Sequence, residues 1–329
     1  MHAPGSDEPA DEPTPRRACV FAPSPQLTIT VEQGSDGDEI HTHAGGQGVW
    51  IARMLHTLGV PTRVCANFGG EAGTVLRGLL GAEGIDVIAV EVAASNGAYI
   101  HDSRDGEREV VATHPAEVLA RHDRDDLYTA ALAAGLDAGL CVLGGYDPAT
   151  ETIPPDDYRR LAVDLRHNGA TTIADLSGAL RDAALEGRVD VMKTSDEDLA
   201  QDGLVPEDAT GPQILEVMEA WAGRGIDHVV VTRAARGTLV LTGDQVVRVE
   251  APRLEVRDHR GAGDSVTAGI TAGLARGLSF LEAVRLGVAA AALNVTRRGL
   301  ATGRAVDIEE LVRHVQIEHL SPEERGAST

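Results

Sequence analysis

Apolar and polar positions follow a regular pattern over the last two thirds of the chain. From about residue 125, short apolar runs typical of buried strands alternate with longer segments of helical period. The strand-like runs "AGLCVLGG", "TTIADL" and "DHVVVT" are separated by helix-like segments such as "DDYRRLAVDLRHNG" and "GPQILEVMEAWAGRG". This alternation predicts an α/β core, in which helices cover both faces of a mainly parallel sheet.

Two earlier segments break this rhythm. "LTITVEQ" and "DEIHTHA" are joined by the turn-rich "GSDG", and "AYIHDS" and "EREVVAT" are joined by a turn at Arg104-Asp105-Gly106. Each pair predicts a β-hairpin. We therefore expect a small β-sheet lid, formed by residues 26–44 and 97–113 and inserted into the α/β core.

The two ends of the chain differ from the segment between them. The first 17 residues are acidic and proline-rich and have no apolar stretch typical of a signal peptide. We expect residues 1–17 to form a disordered tail, residues 18–316 one domain, and residues 317–329 a flexible tail. A cytoplasmic location follows, and the polar run at 121–126 is interpreted as a solvated turn.

Charge and composition narrow the class of partner. The formal net charge of −22 repels nucleic acid and anionic membranes, and no apolar run approaches the ~20 residues of a membrane span. Cys19, Cys65 and Cys141 are too few and too widely spaced for a metal motif or a disulfide framework, and we interpret them as buried free thiols. A small-molecule partner is the remaining expectation.

Candidate chemistry is concentrated in the stretch Gly261-Ala262-Gly263-Asp264, which precedes a helix rich in small residues. Free N–H groups at a helix start bind anions, and glycines allow a phosphate to approach the backbone closely. Asp264 is then either a helix cap or a general base beside an anion site. The chain contains neither a GxxxxGK[ST] loop nor a GxGxxG turn after its first strand, so both common nucleotide motifs are absent.

The pattern "DxxGAGDxxxAG", together with "GGxGxxxAR" near residue 45, resembles the PfkB (ribokinase-like) carbohydrate kinases. "IADLSGALRDAAL", "DVMKTSDEDL" and "VVVTRAARGTLV" resemble further segments of the 1-phosphofructokinase and tagatose-6-phosphate kinase branch, in the same order. The resemblance covers about residues 18–312. It implies a three-layer ribokinase-like α/β/α fold with a β lid, and an ATP- and Mg²⁺-dependent transfer of phosphate to a sugar or sugar-like hydroxyl.

The resemblance also assigns roles to individual residues. Asp264 would be the general base, and the amides of Gly261, Ala262 and Gly263 would form the anion hole. Residues expected at the nucleotide are Lys193, Ser195, Thr232, Arg233, Gly237 and Asn294. Asn294 is equally well interpreted as an ordinary polar residue of its helix.

Two carboxylates are candidates for binding metal ions. Asp198 would bind Mg²⁺ through water. Asp258 would help hold K⁺, or would only cap its turn.

Several positions depart from the family pattern. Ser195 replaces an asparagine and Ala234 a glycine, which matters only if position 234 needs a positive φ angle. At the sugar end, Thr28 replaces an aspartate, Gln47 a lysine and Trp50 an asparagine. The expected substrate-binding positions are Thr28, Gly45, Gly46, Gln47, Trp50 and Ala98. His41 and His43 share one face of a lid strand, where they face either the substrate or solvent.

Lys193 is the only lysine of the chain. Because arginine replaces lysine everywhere else, we interpret Lys193 as functional rather than as a surface residue. The altered sugar end leaves two alternatives open, namely a catalytically weak ligand-binding protein on the same fold and a nucleoside kinase of the same family. Exposed lid strands favour a homodimer formed through the lid.

Overall fold

A ten-stranded sheet forms the middle layer of the molecule. The computed structural model describes residues 15–321, except 107, 146–150 and 298–300, together with Glu324. Seven strands run parallel, in the order β11-β10-β9-β8-β1-β4-β5, and β12, β13 and β14 extend the sheet antiparallel beyond β11. Their bounds are β1 Ala18–Phe21, β4 Thr62–Phe68, β5 Asp86–Glu91, β8 Leu140–Leu143, β9 Thr171–Asp175, β10 Val191–Ser195, β11 His228–Thr232, β12 Thr238–Thr242, β13 Gln245–Glu250 and β14 Gln316–His319.

Helices cover both faces of this sheet, so the predicted three-layer architecture is confirmed. The helices are α1 Gln47–Thr57, α2 Gly70–Ala82, α3 Arg121–Ala138, α4 Pro155–His167, α5 Gly178–Glu186, α6 Asp196–Gln201, α7 Gly211–Ala222, α8 Ala262–Ala275, α9 Phe280–Val295 and α10 Ala305–Val312. Helices α3 to α7 bury apolar side chains in one cluster, while α1, α2, α8, α9 and α10 bury theirs in a second cluster. Alternate residues of a strand enter opposite clusters, as Cys19 and Val20 of β1 do, because successive side chains point to opposite faces of a sheet.

A separate four-stranded sheet forms the lid. Its order is β3-β2-β6-β7, with β2 Gln26–Gln33, β3 Asp38–Gly45, β6 Gly97–Asp102 and β7 Glu109–His114. The two hairpins lie where the sequence predicts them, and they join through parallel pairing of β2 with β6. Asn96 holds together the segments that lead into the two hairpins, because its side-chain amide donates to the carbonyl groups of Pro25 and Asn67 and accepts from the N–H of Gly69.

Two sequence expectations are wrong. Residues 121–126 do not form a turn but begin helix α3, where Arg121 and Asp125 are spaced for an i,i+4 ion pair and Asp123 is buried. The C-terminal segment does not fray from residue 317, because β14 pairs with β13 and Leu320 is buried. Of the expected tails, residues 1–14, 322–323 and 325–329 lie outside the described residues. No helix within the described part of the chain has the length and apolarity to cross a membrane.

Candidate active site

Helix α8 begins at the glycine turn singled out in the sequence. Gly261 precedes the helix with φ 68°, a left-handed conformation that glycine adopts without steric cost. The N–H of Ala262 donates to the carbonyl of His259 over a long 3.4 Å. Among the described residues, the N–H groups of Gly263 and Asp264 have no hydrogen-bond acceptor. The anion-binding amides therefore include that of Asp264 itself, while Ala262 contributes less than the sequence predicts.

The side chain of Asp264 lines a cavity beneath the lid. It does not cap the helix, since Gly261 is the N-cap residue and no side chain caps this end. The pKa of Asp264 is raised to about 7, mainly by burial and secondly by the charge of Asp175, while Lys193 opposes the rise. A carboxyl group with a pKa near neutrality can accept a proton from a substrate hydroxyl, so the interpretation as a general base is favoured over that as a cap.

A buried ion pair lies under the glycine turn. Lys193 Nζ is 3.0 Å from both carboxylate oxygens of Asp175, and both side chains are about 95% buried. Strand pairing positions them, because Lys193 of β10 is the register partner of Asp175 of β9. Thr267 of α8 donates its hydroxyl to Asp175 Oδ2 at 2.5 Å and thereby connects the pair to the helix that carries Asp264.

Lys193 Nζ also approaches the anion-binding turn itself. A Cβ atom built at position 263 would lie only 2.7 Å from Nζ, so a side chain there would push the ammonium group out of its position beside the turn. Lys193 is therefore not the surface residue of the alternative interpretation. Its positive charge adds to that of the α8 N-terminus, where phosphoryl oxygens would meet the free amides.

The cavity in front of Asp264 has a volume of about 720 Å³. Four of the six residues expected at the substrate line it, namely Thr28, Gly46, Gln47 and Trp50. Gly45 and Ala98 do not. Strand β6 contributes Tyr99 and His101, so Ala98 lies on the opposite face of the strand, and the expected position is shifted by one residue.

Gln47 is a structural residue as well as a wall of the cavity. Its side-chain amide donates to the carbonyl of Asp175 at 3.0 Å and accepts from the N–H of Gly145 at 3.1 Å. The side chain thus connects the ends of β9 and β8. Because both ends of the amide are engaged, Gln47 does not replace the charge of the family's lysine.

Trp50 lies between two other cavity residues. The guanidinium of Arg53 lies 4.3 Å from its ring centroid, and the ring of His43 is 5.7 Å away at a tilt of 56°. Arg53 also forms an ion pair with Glu83. Trp50 is therefore held in a fixed orientation in the cavity wall and is not a residue of the buried core.

The residues expected at the nucleotide gather at the carboxyl ends of β10 and β11. Ser195 and Thr232 are register partners there, and the Thr232 hydroxyl donates to the carbonyl of Thr194. Arg233 follows, and its Nε is buried without a hydrogen-bond partner among the described residues. Gly237, with φ 78°, closes the turn into β12. Ligands of α/β folds bind at this carboxyl end of the sheet.

Asp198 and Ser195 form a capping box at the start of α6. Asp198 Oδ2 accepts from the hydroxyl of Ser195 at 2.6 Å, and the N–H of Asp198 donates to that hydroxyl. Oδ1 has no hydrogen bond within the described part of the chain and is available to a hydrated cation. No group of three or more potential metal ligands occurs among the described residues.

Asn294 and Asp258 hold the loop before α8. Asn294 is buried, donates to the carbonyl of Arg260 at 2.7 Å and accepts from the N–H of Ala301 at 3.0 Å. Asp258 accepts from the backbone and the guanidinium of Arg260. A monovalent cation at this carboxylate would have to displace Arg260, so the geometry does not favour a potassium site there.

Ala234 adopts φ 44°, a left-handed conformation, at the start of the 3₁₀ turn Ala234–Arg236. This costs a residue with a Cβ atom about 1–2 kcal/mol. Ala234→Gly relieves that strain but increases the freedom of the unfolded chain, so we expect the free energy of unfolding to rise by about 0.5–1 kcal/mol. The neighbouring Ala235→Gly, without positive φ, is the control and should lower it. Urea unfolding of both variants measures the difference, and a loss of stability in Ala234→Gly would contradict the strain.

Sequence reasoning missed four residues of this site. Asp175 and Thr267 were not assigned roles, although Asp175 ends a predicted strand beside the strand of Lys193. Tyr99 and His101 were missed because the lid position was assigned one residue early. The sequence contains a signal for them, because the period of two within "AYIHDS" places Tyr99 and His101 on the same face of the strand.

Comparison with known proteins agrees with this geometry. Residues 22–306 match the family model described as pfkB family carbohydrate kinase. A 1-phosphofructokinase of Haloferax volcanii is 30% identical over 280 residues, which cover 83% of this chain and 87% of that protein. An ATP-dependent 6-phosphofructokinase isozyme 2 of Mycobacterium tuberculosis is 29% identical over 316 residues, which cover 92% and 91%.

Solved structures share the fold. The phosphofructokinase-2 of Escherichia coli in complex with potassium superposes with a TM-score of 0.80 at 22% identity, covering 91% of this chain and 99% of that one. An Arabidopsis thaliana ribokinase complexed with ribose and ATP superposes with a TM-score of 0.71 at 21% identity, covering 91% and 99%.

Proposed function

Because the chain belongs to the pfkB family of carbohydrate kinases, we propose that it transfers the γ-phosphoryl group of ATP to a sugar hydroxyl with Asp264 as the general base. The observation that carries this proposal is the position of Asp264. Its carboxyl group faces the cavity, has a pKa of about 7 and adjoins the free amides at the start of α8. Phosphoryl transfer requires a base for the attacking hydroxyl next to donors for the phosphoryl oxygens.

In the proposed step, the acceptor hydroxyl donates a hydrogen bond to the ionised Asp264 and its oxygen attacks the γ-phosphorus. The oxygen–phosphorus bond to ADP breaks, and the hydroxyl proton passes to Asp264. The N–H groups of Gly263 and Asp264, with Lys193 beneath them, stabilise the charge on the transferring group. The lid covers the cavity and excludes water, which would otherwise accept the phosphoryl group.

The nucleotide would lie at the carboxyl ends of β10 and β11. Thr232, Arg233 and Gly237 would contact it, and the buried, unpaired Nε of Arg233 supports this assignment. Asp198 would hold Mg²⁺ through water by its free Oδ1. When bound, Mg²⁺ neutralises charge on the β- and γ-phosphates and aids departure of ADP.

Fructose phosphates are the first acceptors to test. The relatives named above are phosphofructokinases, and one structure of the E. coli neighbour is a complex with fructose-6-phosphate. Thr28 would contribute a hydroxyl group to the acceptor site, and Trp50 would offer an apolar face to the sugar ring.

A second copy of the chain is the proposed partner of the lid. The outer lid face is apolar and open, with Ile40 70% exposed and Ile100 36% exposed. Ile29 and Val31 lie on the same face between them, since Val31 pairs with Ile40 and Ile29 with Ile100. Pairing two such faces would cover these side chains and leave the inner faces to the acceptor cavities.

The dependence of rate on pH tests the proposed base. Asp264 must be ionised to accept a proton, and its raised pKa keeps it protonated in acid. With an accepted sugar from a panel of sugars, sugar phosphates and nucleosides, kcat/KM should therefore rise with pH to a plateau, with a midpoint near pH 7. A midpoint near pH 4, the ordinary value for aspartate, would contradict this role.

A further inference from the structure

The inner face of the lid forms a groove with a hydroxyl floor and aromatic walls. Thr28 and Thr30 of the central strand β2 form the floor. His43 and Tyr99 lie on either side of Thr28, and the second row places His41 and His101 beside Thr30. All six residues line the cavity, and neighbouring strands lie about 4.8 Å apart, so facing walls are about 9–10 Å apart at the backbone.

His101, in the wall of this groove, carries an unpaired polar atom. The His101 side chain belongs to a residue that is only 8% exposed, and its Nδ1 atom is buried without a hydrogen-bond partner among the described residues. The ring stacks parallel on Tyr99 at 6.3 Å, which fixes its orientation. Burial lowers the pKa of His101, and Arg108 and Arg260 lower it further, so the imidazole is neutral at pH 7. A buried, unpaired ring nitrogen is costly, and a ligand hydroxyl would remove that cost.

Arg108 is the one guanidinium of the cavity lining without an ion pair among the described residues. Three guanidinium groups line the cavity, and two of them have carboxylate partners, Arg53 with Glu83 and Arg260 with Asp258. Arg108 has no ion pair or hydrogen bond within the part of the chain that the structure describes. Burial and then the charge of Arg260 lower the pKa of Arg108, while the carboxylate of Asp258 opposes the shift, so a bound anion would further offset the repulsion between the two guanidinium groups.

We propose that His101 and Arg108, both in the second lid hairpin, determine acceptor specificity: His101 binds an acceptor hydroxyl through Nδ1, and Arg108 binds an anionic group of the same acceptor. The inference rests on the proposed function and assigns to this hairpin the contacts that the family's aspartate and lysine would make at positions 28 and 47. Gln47 is unavailable because backbone groups occupy both ends of its amide. The acceptor class is a sugar that already carries a phosphate or a comparable anion.

Binding of three probes to the full chain, without ATP, tests the two contacts separately. The probes are fructose, fructose 1-phosphate and fructose 6-phosphate, measured by calorimetry. Arg108→Gln should weaken binding of a phosphate probe by about tenfold or more and leave fructose unchanged, because a charged partner of an anion is lost. His101→Phe keeps the stacking on Tyr99 and removes the ring nitrogens. It should weaken fructose and its phosphates alike, by about fivefold or more, through loss of one hydrogen bond.

Matched controls come from the same hairpin. His114→Phe changes a histidine of β7 that does not line the cavity, and Arg104→Gln changes a guanidinium that is already bound by Asp102 and Asp38. Both should bind the probes as the wild type does. Equal losses in the controls, wild-type binding that does not distinguish fructose from its phosphates, or failure of the wild type to bind either phosphate would each overturn the inference.

Turnover separates this inference from the proposed function. In the kinase assay, both variants should raise the KM for the acceptor and leave the KM for ATP unchanged. If the probes bind with the expected losses but no phosphoryl transfer occurs, the proposed function fails and the specificity assignment remains. If transfer occurs but neither variant changes the acceptor KM, only the specificity assignment fails.

Discussion

Replacing Asp264 with asparagine is expected to lower kcat by about 10²–10⁴-fold, the usual contribution of a positioned general base. The amide keeps the shape of the side chain but cannot accept the hydroxyl proton, whereas the free amides of Gly263 and Asp264 remain. The KM for ATP should therefore stay close to that of the wild type. A coupled assay of ADP release with an accepted sugar measures both constants.

The stability of the same variant shows whether the loss is chemical. The pKa of Asp264 in the folded protein, about 7, lies above its ordinary value of 3.8, so folding favours the protonated form. The carboxyl group therefore destabilises the folded protein progressively as pH rises from about 4 to 7, and fully above pH 7. Asp264→Asn removes this cost and should unfold at a higher temperature than the wild type at pH 8, with a smaller difference at pH 5.

The control for Asp264→Asn is a carboxylate far from the proposed chemistry. Asp126→Asn changes an exposed carboxylate of α3 and should alter neither kcat nor the melting temperature. If Asp264→Asn keeps more than a tenth of the wild-type kcat, Asp264 is not the general base.

Lys193→Met is expected to lower the free energy of unfolding by about 3–5 kcal/mol, because it leaves the carboxylate of Asp175 buried and unpaired. The double variant with Asp175→Asn removes both charges and keeps an acceptor for the hydroxyl of Thr267, so it should recover part of that loss. Denaturant unfolding of the two variants and the wild type measures the coupling between the residues.

The exposed pair of Arg313 with Glu310 provides the comparison. Arg313 is 75% exposed, and an exposed ion pair contributes about 0–1 kcal/mol, so Arg313→Met should have little effect. If Lys193→Met costs no more than Arg313→Met, the ion pair does not stabilise the fold. Where Lys193→Met remains folded, loss of the ammonium should also move the midpoint of the pH–rate profile above 7, because Lys193 opposes the rise in the pKa of Asp264.

The sequence predicts the fold well because the relevant signals are local. Strand runs, helical periods and hairpin turns each depend on a few neighbouring residues, and these place the core and both lid hairpins. Two segments are exceptions to this prediction. Residues 121–126 are polar enough for a turn but contain an ion pair at helical spacing, between Arg121 and Asp125, and Gln316–His319 forms a strand because β13 offers it an edge.

The site could be predicted only where its residues are contiguous. Gly261 to Asp264 form one turn, and the physics of a helix start predicts an anion site there, although it leaves Asp264 open between a helix cap and a general base. The residues beneath that turn could not be predicted from the sequence. Asp175, Lys193 and Thr267 come together only through strand register and helix packing, and Asp175 and Thr267 are 92 residues apart in the chain. The acceptor contacts of the second hairpin depend on which face of β6 points inward, and a shift of one residue exchanges Ala98 for Tyr99.

The division of the molecule into two sheets has an evolutionary consequence. Asp264 and Lys193 are positioned by the ten-stranded sheet and its helices, whereas about half of the residues that line the cavity belong to the two lid hairpins. Substitutions in the lid can therefore accumulate without disturbing the buried ion pair or the start of α8. A lineage on this scaffold can change the compound it phosphorylates while selection keeps the transfer chemistry constant, and new acceptor specificities can arise by mutation of two short hairpins.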